Sequence, residues 1–229
     1  MLIRSLIFLG ALCSLPAIAA PSSIELQYAL SRDGFTLATM HDTFKRTGKQ
    51  YRIVSTTAGS GLIGKLYKGT LTSTSSGQVG ANGLRPSRFE QIRSDAPEKA
   101  VAAQFNWKTA QLTLLDKGRS EVVALPPGTQ DRLSVLYQFM FARPSGQTLK
   151  FNVTTGHSLS PETYTLVGRE KITTPVGDFN TLHYRNEAPA GEKQIEVWLA
   201  SDRDYLPVQV RVKDDGATAL QTLTQIKTD

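Results

Sequence analysis

Apolar and polar residues alternate along most of the chain, with a period of two residues. The first clear example places Ile24, Leu26, Tyr28 and Leu30 at alternate positions, and residues 206–213 repeat the pattern. Such alternation is typical of strands with one buried face. Less regular segments of the same kind are 35–45, 49–57, 65–74, 86–94, 99–107, 110–116, 148–154, 163–170, 178–186, 194–200 and 217–226. The pattern therefore predicts a mainly β protein.

Glycine and small polar residues separate these segments. The pairs that tolerate a positive φ are Asp33-Gly34, Thr47-Gly48, Ser76-Gly77, Asn82-Gly83 and Asp215-Gly216. Pairs of this kind occupy the tight turns of β-hairpins. Short strands joined by tight turns predict an antiparallel sheet.

One segment, about residues 129–143, has the period of a helix instead. The spacing i, i+3, i+4 and i+7 is met by Leu133, Leu136, Tyr137 and Met140. Thr129 is expected to cap the helix and Pro144 to end it. Because Val135, Phe139 and Phe141 make the other faces apolar too, the helix must be surrounded by protein or face a ligand cavity. The predicted fold is a curved antiparallel sheet or open half-barrel with this one principal hydrophobic helix.

The first twenty residues have the layout of a secretory signal peptide. Arg4 precedes a short apolar run, and Pro16 and small residues follow it. We therefore expect a periplasmic protein with no integral membrane segment after cleavage. The sole cysteine, Cys13, lies in this peptide and is removed with it, so we expect no disulfide in the mature chain. Residues 21–229 are expected to form one β-rich domain, or two halves that share a core and join near 125–146.

The charge is moderately basic and evenly spread. The formal net charge is +6, and cleavage of the segment that holds Arg4 lowers it to +5. Nucleic-acid-binding proteins cluster their basic residues on one face, whereas here lysine and arginine are scattered along predicted strands. Nucleic acid is therefore not an expected partner. A basic surface suits anionic lipid head groups, or it serves solubility alone.

The stretch TAGSGLIGK, residues 57–65, contains a literal G-x-G-x-x-G. A dinucleotide site needs a helix after the glycines and an acid about 20 residues further on. The following residues are rich in Thr and Ser, and the first acid is Glu90. A P-loop would need Ser or Thr in place of Leu66. The stretch is therefore predicted to be a turn, whose apolar residues either pack inward or touch a lipid, ligand or partner.

Few residues offer catalytic chemistry. The three histidines, His41, His157 and His183, lack metal-ligand spacing, and no G-x-S-x-G elbow occurs. We expect no metal, no cofactor and no enzymatic activity. A cross-strand triad is the remote alternative, because the members of a triad converge in space rather than in sequence. A Ser hydroxyl and an acid meeting His41 or His183 in one pocket would support it.

The second half resembles a family of exported Gram-negative proteins known as a domain of unknown function (DUF3108-like). The matching residues are Gly168, Glu170, Thr174-Pro175-Val176-Gly177, Phe179, Trp198-Leu199-Ala200 and Tyr205-Leu206-Pro207-Val208. In the first half, residues 67–71 and 83–93 also fit. The resemblance implies no catalytic residues. The predicted architecture is also distantly similar to the half-barrels of periplasmic lipoprotein carriers, which hold acyl chains between a curved sheet and helices.

Two functions remain open at this point. The first is a protein that binds a lipid acyl chain or another apolar molecule in a groove between sheet and helix, lined by Leu62, Ile63, Tyr67, Phe139, Met140, Phe141 and Trp198. The second is a cell-envelope scaffold that binds a protein partner through a sheet edge or an apolar patch. A cavity of roughly 300 Å³ or more favours the first, and a filled core with an exposed apolar patch favours the second.

Overall fold

The computed structural model describes residues 22–66, 68–189 and 192–228, without the side chain of Ile63. The predicted signal peptide lies outside these residues. The strands are β1 Ser23–Arg32, β2 Phe35–Thr47, β3 Gln50–Gly59, β4 Thr70–Gly80, β5 Gly83–Arg93, β6 Val101–Asn106, β7 Gln111–Asp116, β8 Arg119–Ala124, β9 Gln130–Asp131, β10 Thr148–Thr154, β11 Leu159–Thr174, β12 Gly177–Asn186, β13 Gln194–Ala200, β14 Leu206–Asp214 and β15 Ala217–Thr228. The helices are α1 Gly61–Leu66 and α2 Ser134–Gln138, and Pro97–Lys99 form a 3₁₀ turn.

All fifteen strands belong to one sheet, so the predicted β class is confirmed. Strands β1 to β8 follow one another as hairpins, as do β10 to β15, and β1 pairs with β15 to join the two series. The pairs are antiparallel except for β9 with β10. In the described residues the sheet is open, with β8 and β9 at its free edges. It curls strongly, since Ser75 on β4 donates a 2.6 Å hydrogen bond to Asp131 on β9.

The predicted turn pairs are correct with one exception. Four of them join consecutive strands, but Ser76-Gly77 lies within β4, where the register with β5 shifts. A Cβ at Gly77 would overlap the backbone of Arg85. Gly77 therefore does not form a turn. Its lack of a side chain allows two strand backbones to approach closely. The hairpin at Lys117-Gly118, which leads into β8, was not predicted.

The predicted helix over 129–143 is wrong in extent. Only Ser134–Gln138 are helical, and residues 130–131 form β9 instead. The Thr129 hydroxyl donates to the carbonyl of Pro126 rather than capping a helix. Oδ1 of Asp131 accepts the backbone N–H groups of Leu133 and Ser134, and this starts the short helix. We call residues 129–143 the plug segment.

Tertiary contacts explain why the plug segment is so apolar. The sheet surrounds it, so that Leu133, Val135, Tyr137, Phe139 and Met140 are all buried. A segment enclosed on several sides needs apolar residues on each side, whether or not it is helical. After Gln138 the helix ends in a tighter turn, in which the Met140 N–H donates to the Tyr137 carbonyl three residues earlier.

The glycine-rich stretch also differs from the prediction. It contains the six-residue helix α1, although a turn was expected. The strands on either side of it, β3 and β4, are antiparallel, whereas a dinucleotide fold requires a parallel βαβ unit. Leu62 and Leu66 are 72% and 74% exposed, so inward packing is wrong for both.

The buried apolar residues form two clusters. One includes Phe44, Phe89, Tyr137, Met140 and Trp198. The other lies within the second half of the sheet and includes Phe139, Tyr184, Val197 and Leu199. In the described part of the chain, no helix has the length and apolarity needed to cross a bilayer.

Candidate functional site

The residues predicted to line one groove lie in separate places. Leu62 is exposed on α1, and Tyr67 and the side chain of Ile63 are outside the described structure. Phe139 packs edge-on against Phe151, while Phe141 packs against Phe44, with ring centroids 5.8 and 5.1 Å apart. Met140 is buried in the larger cluster. Of the described members, Met140 and Trp198 share the larger cluster and Phe141 packs against it, whereas Phe139 belongs to the other cluster.

Trp198 belongs to a polar cluster on β11 to β14. Its ring stacks on His183 at 4.1 Å, and Arg211 lies over it at 5.0 Å. Oε1 of Glu170 lies 2.6 Å from Trp198 Nε1 and 2.8 Å from His183 Nδ1. Val197 and Leu199 point to the opposite face, as alternate strand residues do, and pack with Phe139.

The same cluster tests the triad hypothesis. His183 meets Glu170 at 2.8 Å and Glu196 at 3.9 Å, and no hydroxyl of a described serine hydrogen-bonds its ring. Glu196 accepts from Arg185 at 2.8 Å and also pairs with Arg211. Burial lowers the pKa of His183, and the two carboxylates partly oppose this shift. The arrangement is an ion-pair network around a stacked Trp–His pair.

A cavity of about 230 Å³ lies between the plug segment and the inner face of the sheet. Apolar side chains form much of its wall, including Met40, Leu133, Val135, Leu136, Ile195 and Val210. The two halves of the sheet both contribute, because its curl brings β2 and β3 opposite β13 and β14. Arg132, which is exposed, and Glu162 also line it. Most of the exposed surface of the cavity is apolar, as in small-molecule sites, although half of its lining residues are polar or charged.

Asp42 is the distinctive polar residue of this cavity. It is 4% exposed, and its Oδ2 accepts a 2.7 Å hydrogen bond from the Tyr137 hydroxyl. Oδ1 is buried, and no described group hydrogen-bonds it. Burial raises the pKa of the Asp42 carboxyl, and the hydroxyls of Ser55 and Tyr137 partly offset the rise. An unsatisfied buried acceptor costs free energy, which agrees with the raised pKa, because the protonated carboxyl carries no buried charge.

A second buried carboxylate, Asp131, has a structural role. It accepts from Ser75 at 2.6 Å and from two backbone N–H groups that begin α2. Burial raises its pKa, and these hydrogen bonds oppose that rise. Tyr51 lies 3.1 Å from Ser75, so the network joins β3, β4 and the plug segment. It holds the plug segment in place against the sheet.

Asp42 was not predicted as a site residue, although its position contains a signal. Strand β2 alternates, and Met40, Asp42 and Phe44 share one face. Asp42 therefore places a carboxylate in a row of inward-facing apolar positions. Charged residues are almost never fully buried without a partner, so such an interruption indicates a special role.

A larger cleft of about 500 Å³ lies at one end of the sheet. It is lined by the β4–β5 turn, by Trp107 and Arg85, and by the amides of Gln130 and Gln138. Gln138 fixes this end by accepting from the Leu84 N–H and donating to the Asn82 carbonyl. The lining is more polar than that of the interior cavity and includes much turn backbone.

Together, these features define a class: an antiparallel, barrel-like sheet that curls around a buried plug and encloses a small cavity. The chain belongs to the family described as protein of unknown function (DUF3108), which matches residues 24–224. The resemblance predicted from the motifs is thereby confirmed. No protein with a curated description matches the chain.

A solved structure supports the same fold. A beta-barrel-like protein of domain of unknown function DUF1849 from Brucella abortus is 10% identical, with a TM-score of 0.58 over 91% of this chain and 98% of that one. At this identity the likeness shows the fold alone. A protein with a YmcC-like fold from Bacteroides fragilis is 13% identical, with a TM-score of 0.40 over 90% of this chain and 96% of that one.

Proposed function

We propose that this is an exported, non-enzymatic protein that binds a small, largely apolar molecule, or the end of an acyl chain, in the interior cavity. The observation that carries the proposal is a cavity with a largely apolar surface that has the buried carboxyl of Asp42 in its wall. Apolar contact would supply affinity, and a hydroxyl or amine of the ligand would donate to Asp42 and orient it.

The volume limits the size of the ligand. A drug-sized ligand occupies a pocket of roughly 300 Å³ or more, and this cavity is smaller, at about 230 Å³. An engineered apolar cavity of about 150 Å³ holds benzene. The ligand is therefore a one- or two-ring molecule or a short length of hydrocarbon. Phe139, Met140 and Phe141 do not line this cavity, and they act on the site indirectly, by packing the plug segment against the sheet.

Native mass spectrometry of the mature protein, purified from the periplasm, tests this proposal. We expect a mass above that of the bare chain, and organic extraction should identify the added molecule as an acyl lipid or a small apolar compound. The purified protein should also bind 1-naphthylamine, an apolar two-ring fluorophore with an amine donor. A bare-chain mass together with no fluorophore binding would contradict the proposal.

Variants locate the binding. Val210→Phe fills the cavity, and Asp42→Asn changes the acceptor, so both should weaken fluorophore binding by about tenfold or more. Val167→Phe adds the same volume at an exposed position on β11 and is the matched control. Equal binding by all three variants would place the fluorophore elsewhere.

The alternative function, a scaffold for a protein partner, is supported by the small volume of the cavity, about 230 Å³, and by a free sheet edge. Strand β8 is a free edge of the sheet, and Val122 on it is 57% exposed. A partner strand would add to this edge through backbone hydrogen bonds. Val122→Pro would remove a backbone donor and block such addition. Crosslinking in intact cells distinguishes the two functions, since only a scaffold would lose its crosslinked partner in this variant.

A further inference from the structure

The most exposed apolar side chains of the described residues lie at one end of the sheet. Phe35, Leu62 and Leu66 are 74%, 72% and 74% exposed. The other exposed large apolar residues, Ile92, Val122 and Val167, range from 37% to 57%. Single exposed apolar residues are ordinary, but a group of them marks an interaction surface.

Backbone pairing places the three residues at the same end. Phe35 begins β2, whose Ala38 pairs with Gly59 at the end of β3. The Ser60 N–H then donates to the Leu37 carbonyl at 2.9 Å, and α1 begins at the next residue. Helix α1 therefore extends from the end of β3 alongside the first residues of β2. We call Phe35, Leu62 and Leu66 the apolar tip.

The sheet behind the apolar tip is itself open to an apolar group. A pocket of about 260 Å³ is lined there by Leu37, Ala38, Ala58, Leu71 and their neighbours. Arg93 and Asp95 also line it, so hydrocarbon that meets the tip would find further apolar surface beside this ion pair.

The charges around the apolar tip favour an anionic partner. Lys65 lies on α1 and Lys68 just beyond it; both are exposed, and neither pairs with a described carboxylate. The nearby acids are already paired, Asp33 with Arg32 at 3.8 Å and Asp95 with Arg93 at 2.8 Å. Exposed apolar side chains flanked by lysines have the chemistry of a membrane-surface contact.

We propose that the apolar tip docks on a bilayer surface that contains anionic lipid, with Leu62 and Leu66 entering the apolar boundary and Lys65 and Lys68 contacting head-group phosphates. This contact is reversible and peripheral, because only a few side chains enter the bilayer. It does not depend on a ligand in the proposed interior site, although Thr57 and Leu71 line both that cavity and the pocket beside the tip.

Vesicle co-sedimentation tests the proposal with the mature protein. We expect binding to vesicles of phosphatidylcholine mixed with phosphatidylglycerol, and weaker binding to phosphatidylcholine alone. The double variant Leu62→Ser, Leu66→Ser should lower the partition coefficient by about tenfold or more. Lys65→Gln, Lys68→Gln should remove the preference for the anionic vesicles, as should high salt.

The matched control is Val122→Ser, Val167→Ser, which removes two exposed apolar side chains far from the tip in sequence and should bind like the wild type. All substituted residues are exposed, so circular dichroism should show unchanged folding. The proposal is overturned if the wild type fails to bind the mixed vesicles or if the control loses as much binding as the tip variant. A concentration-dependent dimer that the tip variant abolishes would instead identify a second copy as the occupant, and would also overturn it.

Discussion

The hydroxyl of Tyr137 donates a 2.7 Å hydrogen bond to the carboxylate of Asp42, 95 positions earlier in the chain. Both residues are buried, and this bond attaches the plug segment to β2 beside the interior cavity. One oxygen of Asp42 thus fixes the internal structure, while the other is left without a described partner. The same carboxylate therefore serves both the fold and the proposed site.

Tyr137→Phe should lower the free energy of unfolding by about 2 kcal/mol, because it removes the donor from a buried carboxylate. Urea denaturation of the purified protein measures this. Tyr184→Phe is the control, since its hydroxyl donates to a neutral carbonyl, that of Gly146, at 3.2 Å. Its expected cost is below about 1 kcal/mol. If both variants lose the same free energy of unfolding, the hydrogen bond to Asp42 stabilises the protein no more than one to a neutral carbonyl.

Asp42→Asn should change how stability depends on pH. The pKa of Asp42 is raised in the folded protein, so its contribution to stability is greatest at acid pH and is lost as pH rises through the folded-state pKa. Asparagine cannot titrate. Relative to the wild type, the variant should therefore gain about 1 kcal/mol or more between pH 4 and pH 7. Asp131, whose pKa is also raised, is present in both proteins, so its contribution cancels when the two are compared. A difference in the free energy of unfolding that stays constant across this pH range would contradict a raised pKa at Asp42.

His183 should act in the opposite sense. Its pKa lies below the ordinary value of 6.5 in the folded state, so the unfolded chain binds the proton more readily. The free energy of unfolding should therefore decrease as the pH falls from about 7 through the folded-state pKa of His183. His183→Phe keeps a ring against Trp198 and should reduce this fall in thermal denaturation. His41→Gln, at an exposed histidine, should retain it; an identical pH profile for all three proteins would exclude His183 as the cause.

Gly83→Ala should destabilise the protein more than Gly34→Ala. Both glycines have a positive φ, +94° and +87°, which costs an alanine about 1 kcal/mol. At Gly83 the added Cβ would also collide with the Gln138 side chain, whereas the space around Gly34 is open. Loss of the bonds from Gln138 to the β4–β5 turn should add about 2 kcal/mol. Chemical denaturation of the two variants gives this difference directly.

Much of the strand arrangement follows from local pattern. Strands such as β1 and β14 alternate cleanly because one face is buried, and turns such as Asp215-Gly216 need residues that accept a positive φ. Strand β8 was missed because its residues are mostly exposed, so no buried face left an alternating signal. The plug segment was predicted to be a longer helix for the opposite reason. It is buried on several sides, so its apolar residues fit more than one spacing, including that of a helix.

The sequence by itself determined the antiparallel β class, most of the turns and the family, because these depend on the order of neighbouring residues. Only the tertiary structure decided the curl of the sheet, the shortness of α2 and the exposure of the apolar tip. It also decided that Asp42, in the wall of the interior cavity, meets the buried Tyr137, and that Trp198 lies with His183 on the opposite face from Val197 and Leu199. These features depend on contacts between residues far apart in the chain, and the energies of such contacts outweigh local preferences.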